Sequence, residues 1–125
     1  DGAFVAPTVI RDVPFSADAM HDMEIFGPVM PIAAFDHEDE VLELANATMY
    51  GLGGSVFTRD MKKAMKFTDN LECGSVVING SSYFRSFEMP FGGYKYSGVG
   101  SEGVFSTFDE LTQLKCITLK GIGNY

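Results

Sequence analysis

Between Pro28 and Asn79 the sequence alternates apolar runs with amphipathic stretches, joined by short connections. This alternation constrains the fold more than any other feature. Residues 28–35 form an apolar run long enough for a buried strand. Pro31 inside it favours an edge or an irregular start. Asp36 stands where an N-cap would, with a short carboxylate able to accept from the free amides of the next turn. The predicted helix runs to about Asn46, with Val41, Leu44 and Ala45 as its apolar stripe. Tyr50-Gly51 reads as a turn, and residues 53–57 as a second buried strand. Asp60 caps a second predicted helix, 61–71. Met61, Ala64, Met65 and Thr68 share one face of it, leaving Lys62, Lys63 and Lys66 to solvent. Gly74 opens a third strand, 75–79.

Strand-helix-strand-helix-strand with short connections implies parallel strands, right-handed crossovers and helices packed on the sheet. The expected class is α/β, with half of a three-layer open parallel sheet. A short strand at 7–10 and a turn-like segment at 14–23, with a short helix near 17–23, precede this unit. Residues 80–103 break the pattern and hold six of the fourteen glycines. Long loops in compact domains are commonly functional. A short helix is expected at 104–110. Residues 112–120 alternate like a terminal strand that has no partner in this chain.

Composition narrows the function classes. At 125 residues, 46% of them hydrophobic, the chain fits one domain or part of one. Its net charge of −8 argues against nucleic acid, which needs a concentrated basic face. The densest acidic run, His37-Glu38-Asp39-Glu40, reads as a solvated first helical turn. The apolar runs are too short to span a bilayer, and no signal peptide is visible. The chain opens on Asp1, which reads as a cut piece or a processed chain. Cys73 and Cys116 lack CxxC spacing and read as small strand residues, as expected in a reducing cytoplasm. His21 and His37 have no ligand spacing to either, so no metal site is expected.

Spacing alone finds no chemistry in the Gly-rich loop. Residues 93–98 lack the Gly-Lys-Ser/Thr of a phosphate loop. Residues 98–103 fit G-x-G-x-x-G by letter but do not join a first strand to its helix. No Ser/His/Asp set or nucleophile elbow is present.

Five segments, in order, resemble one family. Residues 24–29 match E-x-F-G-P-V, 50–58 match Y-G-L-x-x-x-V-F-T, and 74–79 match G-x-V-x-I-N. Residues 90–100 match P-F-G-G-x-K-x-S-G-x-G, and 110–115 resemble E-x-T-Q-x-K. This is similar to the C-terminal part of NAD(P)-dependent aldehyde dehydrogenases. The resemblance makes 1–111 the end of the catalytic domain and 112–125 an oligomerisation strand and tail. It implies that Glu24 holds the ribose hydroxyls of NAD or NADP and that Phe26 packs near the nicotinamide. A carboxylate can accept from two adjacent hydroxyls. Phe91 matches an aromatic in the wall of the aldehyde tunnel. Arg85, in the 82–89 segment where relatives vary their substrate contacts, would bind a carboxylate or hydroxyl. An ion pair from Arg85 to Glu88 is the competing reading. The segment is similar in length and in Tyr/Arg content to the lactaldehyde and semialdehyde branches.

Two departures accompany the resemblance. The loop usually continues G-R-E, and here it reads Gly100-Ser101-Glu102. The family's cysteine nucleophile, glutamate base, oxyanion asparagine and cofactor-binding fold precede the E-x-F-G-P-V segment. No catalytic residue is therefore assigned, and Cys73 and Cys116 do not take the nucleophile's role. The expected chain is inactive alone, with the rest of the dehydrogenase, an aldehyde and a second subunit (through 112–120) as partners. The alternative is a standalone, non-catalytic protein that docks on full-length subunits.

Overall fold

A computed structural model describes residues 2–123. Its elements run β1 (Thr8–Ile10), a 3-10 turn (Asp18–Met20), β2 (Val29–Pro31), α1 (Glu38–Asn46), β3 (Tyr50–Gly51), β4 (Gly53–Val56), α2 (Met61–Asn70), β5 (Ser75–Ile78), β6 (Tyr94–Lys95) and α3 (Val104–Leu111). The class is mixed α/β, as the alternation implies.

The expected continuous parallel sheet divides. Among the described residues β1 pairs with β2 in parallel, β4 pairs with β5 in parallel, and β3 pairs with β6 in antiparallel fashion. No ladder joins β2 to β4. Strand β2 ends at Pro31, and the Ile32 amide still donates to the Ile10 carbonyl at 2.8 Å before the run leaves β1. Tyr50-Gly51 is a short strand rather than a turn, held by Lys95 and Tyr94.

Both helices form where the apolar periodicity places them, with differences at their starts. Asp60 caps α2 as expected: its Oδ1 accepts from the amides of Lys62 at 2.8 Å and Lys63 at 3.3 Å. Such a cap is worth about 1 kcal/mol. Asp36 does not cap α1. His37 precedes the first turn without a side-chain bond, and the Asp36 amide donates weakly to Glu40 at 3.4 Å. In α1 it is Leu42 that is buried, and in α2 Ala64.

The lysines of α2 are not merely solvated. Lys63 reaches Glu38 at 2.6 Å, and Lys66 reaches Asp39 at 2.7 Å and Glu38 at 3.3 Å. The acidic run at the start of α1 is thus one half of an ion-pair seam between the helices. Its carboxylates are held below their usual range, Glu38 by Lys63 and Lys66 and Asp39 by Lys66.

Residues 112–123 form no strand and are exposed throughout. An alternating segment without a neighbour has nothing to bond its backbone to, so the expected terminal strand is not formed. The last two residues of the expected tail lie outside the described residues. Only Leu42 and Ala64 are buried apolar side chains among those described, while Phe4, Phe26, Phe87, Val99 and Leu114 stand nearly free. Exposed apolar surface on this scale is typical of faces that other protein surface covers.

Candidate active-site wall

The Gly-rich loop is closed at its base and clipped to the strands beside it. Phe91 and Glu102 form an isolated antiparallel bridge, each amide donating to the other's carbonyl at 2.7 Å. Inside the loop, β6 pairs with β3, and the Gly51 amide donates to Ser97 Oγ at 2.8 Å. Lys95 Nζ donates to the carbonyls of Asn46 at 2.6 Å and Thr48 at 3.1 Å, and pairs with Glu72 at 2.6 Å. One lysine thereby ties the loop to the carbonyl end of α1, where a cation complements the helix dipole.

The fit at this base depends on missing side chains. A Cβ on Gly74 would collide with the Gly92 carbonyl, and one on Gly51 with the Glu72 carbonyl. Three backbone segments cross here at contact distance.

Against this base lies a cleft of about 290 Å³, lined by Leu52, Gly53, Ser75, Ser82, Tyr83, Arg85 and Phe91. The Arg85 guanidinium lies over the Phe91 ring, 3.7 Å from its centroid. The structure therefore brings together the two residues expected to contact substrate. The competing Arg85–Glu88 pair is not formed: Glu88 accepts from Ser86 Oγ at 3.0 Å, and Arg85 Nη2 lies 3.9 Å from Glu102 instead. Apolar walls with a few hydroxyls and one cation are the kind of lining that small-molecule sites have. A larger cleft, about 560 Å³, lies between α1, α2 and β4, but it is lined by residues such as Phe35, Val41, Phe67 and Leu71 and by none of the expected site residues. It is the packing layer of the helices.

Glu24 and Phe26 lie on the segment that enters β2, and neither lines the Arg85 cleft. Asp22 anchors that segment, accepting from Thr48 Oγ1 at 2.6 Å and the Met49 amide at 2.8 Å. Those two bonds hold the Asp22 carboxyl below its usual range. Phe26 adopts φ 48°, in the left-handed region, and its side chain is 92% exposed. A bulky residue rarely takes that conformation. The Glu24 carboxylate is exposed and has no side-chain partner among the described residues, so both its oxygens are free to accept.

Burial pushes the Cys73 thiol above its usual value, and Sγ donates to the Ser75 carbonyl at 3.2 Å. A raised thiol holds less thiolate, the reactive form. Among the described residues no three His, Cys, Asp or Glu side chains gather as metal ligands, and no helix is long and apolar enough to cross a membrane.

Residues 1–117 match the model of the aldehyde dehydrogenase family. The chain belongs to the aldehyde dehydrogenase family. It is 49% identical over 122 residues to a lactaldehyde dehydrogenase of Methanocaldococcus jannaschii, covering 95% of this chain and 25% of that protein. It is 44% identical over 116 residues to aldehyde dehydrogenase [NAD(P)+] 1 of Saccharomyces cerevisiae, covering 93% of this chain and 22% of that protein. Among solved structures, aldehyde dehydrogenase 21 of Physcomitrella patens, in complex with the reaction product succinate, superimposes with a TM-score of 0.87 at 38% identity, over 100% of this chain and 26% of that one. The chain spans about a quarter of the length of the curated relatives it matches.

Glu102, Ser75 and Leu52 were not singled out by sequence as site residues. Glu102 is visible only as part of the Gly-Ser-Glu departure, and nothing in its local spacing points to Phe91. Ser75 and Leu52 sit on ordinary strand positions whose partners are set by the closed loop.

Proposed function

We propose that this segment is the C-terminal part of an aldehyde dehydrogenase, and that it supplies the ribose anchor and one wall of the aldehyde cleft. The observation that carries the proposal is the family match over 1–117, which runs through both the Glu24–Phe26 segment and the Phe91 loop. The full-length enzyme oxidises an aldehyde to an acid or acyl product. NAD or NADP, when bound, supplies the hydride acceptor. Glu24 accepts from the ribose hydroxyls and fixes the nicotinamide end. Phe26 covers one side of the ring. Phe91 and Leu52 exclude water from the cleft. Arg85, Ser82 and Tyr83 orient the polar end of the substrate.

A short aldehyde bearing a hydroxyl or carboxylate fits these groups. Relatives named for lactaldehyde, and one solved with succinate, support that class. The nucleophilic cysteine belongs to the part of the enzyme before this segment, so the chain alone does not turn over. Residues 112–120, exposed and outside any strand, pair with another subunit. Two free cysteines suit a cytoplasmic setting. The test is a panel of short aldehydes with NAD and NADP, given to the full-length enzyme and to this chain alone. Turnover by the full-length enzyme only is expected. No turnover by the full-length enzyme rejects the proposal.

A further inference from the structure

Arg85 stands between two clefts. One is the cleft of Ser75, Ser82, Tyr83 and Phe91; the other, about 420 Å³, is lined by Ser86, Met89, Glu102 and Val104. Glu102 lines the second cleft and not the first. Its position follows from the backbone bridge to Phe91, because residues directly opposite in an antiparallel pair send their side chains to the same face. The ring and the carboxylate thus arrive at Arg85 as one unit. The ring lies under the guanidinium, 3.7 Å from its centroid, and the carboxylate lies 3.9 Å from Nη2.

Distance decides what Glu102 does. At 3.9 Å its carboxylate makes no hydrogen bond to Arg85, so it does not fix the guanidinium plane. The face of Phe91 does that. What remains is charge. Opposite charges at this separation attract even near a solvated surface, and salt weakens the attraction. The carboxylate therefore offsets part of the positive charge that Arg85 turns toward the first cleft.

We infer that Glu102 is a specificity-determining residue that tempers the cleft's preference for acidic aldehydes, acting through Arg85. The inference rests on the proposed reading of the cleft as the aldehyde site. With Glu102 present, the cleft accepts neutral hydroxy-aldehydes beside acidic ones. Without it, Arg85 presents an unopposed charge, and acidic aldehydes gain.

The test uses the full-length dehydrogenase that carries this segment. The quantity measured is the ratio of kcat/KM for a short aldehyde with a terminal carboxylate to that for a hydroxy-aldehyde of the same length. Glu102→Gln is expected to raise this ratio about two- to fivefold, and the rise should shrink toward ~1 M salt. Glu102→Asp, which keeps the charge, should stay close to the starting ratio. In an Arg85→Ala background, Glu102→Gln should leave the ratio where Arg85→Ala put it. A ratio unmoved or lowered by Glu102→Gln overturns the inference, as does a rise that persists without Arg85 or is indifferent to salt. If Arg85→Ala lowers the ratio but Glu102→Gln does nothing, only the role of Glu102 falls. If Arg85→Ala leaves the ratio unmoved, the cleft reading falls with it.

Discussion

Asn79 closes its side-chain amide on both backbone groups of Thr58: Oδ1 accepts from the Thr58 amide and Nδ2 donates to the Thr58 carbonyl, each at 2.8 Å. The two residues lie just beyond the ends of the neighbouring strands β4 and β5, and Asn79 sits at φ 55°. This clasp sets the direction in which the chain leaves β5 toward Ser82 and Arg85. Two side-chain bonds are worth roughly 1–3 kcal/mol, and a left-handed backbone costs a non-glycine residue about 1–2 kcal/mol. Stability of the full-length enzyme in urea should therefore fall in the order Asn79, Asn79→Gly, Asn79→Ala. Equal midpoints for the alanine and glycine variants would show that the backbone conformation contributes nothing.

Glu24→Gln in the full-length enzyme should weaken NAD(P) binding or slow hydride transfer while leaving Tm nearly unchanged. The carboxylate is exposed and unpartnered within the described residues, so folding loses nothing by its neutralisation. Melting curves and single-turnover kinetics decide it. A large drop in Tm with a normal rate would contradict the ribose role.

Arg85→Ala should raise the KM for acidic aldehydes roughly tenfold or more beyond its effect on neutral ones, since a charge-assisted contact is worth about 1.5–3 kcal/mol. Arg85→Lys should recover little, because an ammonium cannot lie over Phe91 as a planar fork does. Steady-state kinetics on a matched pair of aldehydes is the measurement. Equal losses on both would leave Arg85 a structural residue.

Acid should loosen the helix seam and the Asp22 anchor. Glu38 is held low by Lys63 and Lys66, Asp39 by Lys66, and Asp22 by the Thr48 hydroxyl and the Met49 amide. A carboxyl whose folded pKa lies below its unfolded one contributes stability above the unfolded value and loses it as pH falls through the folded one. Urea midpoints should thus be flat near neutrality and fall below about pH 4. Asp22→Asn and Glu38→Gln should flatten that fall. An unchanged acid profile in both variants would show that these groups are not responsible.

The chain alone should show no dehydrogenase activity and should self-associate. Leu42 and Ala64 are a small core, and the strand edges and the 112–123 segment are uncovered. Light scattering across a dilution series should report dimers or larger species, and calorimetry should find no tight NAD binding, since one ribose contact does not offset immobilising a dinucleotide. Micromolar NAD binding by a monomer would favour an independent nucleotide-binding module.

What was legible in the sequence was local. Asp60 and its helix, the strand after Gly74 and the helix from Val104 each follow from residues within a few positions of one another. What was not legible depends on distant partners. Tyr50-Gly51 carries a turn signal, and only the return of Tyr94-Lys95 makes it a strand. Val41, Leu44 and Ala45 have helical spacing, yet Leu42 is the residue that faces the interior. The lysines of α2 have no sequence mark distinguishing a pair with Glu38 from a solvated surface. The site followed the same division. Motif matches nominate Glu24, Phe26 and Phe91, while the meeting of Arg85 with Phe91 and Glu102 needed the loop to close.

The contact of Gly74 with the Gly92 carbonyl has a consequence for recombining this family. The obstacle is a backbone carbonyl, which every residue at position 92 carries, whereas a Cβ on Gly92 would meet the Gly100 carbonyl and Ser101 Oγ. A chimera that takes residues up to β5 from one relative and the Gly-rich loop from another therefore keeps the crossing only if the first parent has glycine at 74, and keeps the loop's own packing only if the second has it at 92. A library that randomises position 74 will lose nearly every variant, and no side-chain change across the contact can compensate, because there is no side chain there to shorten.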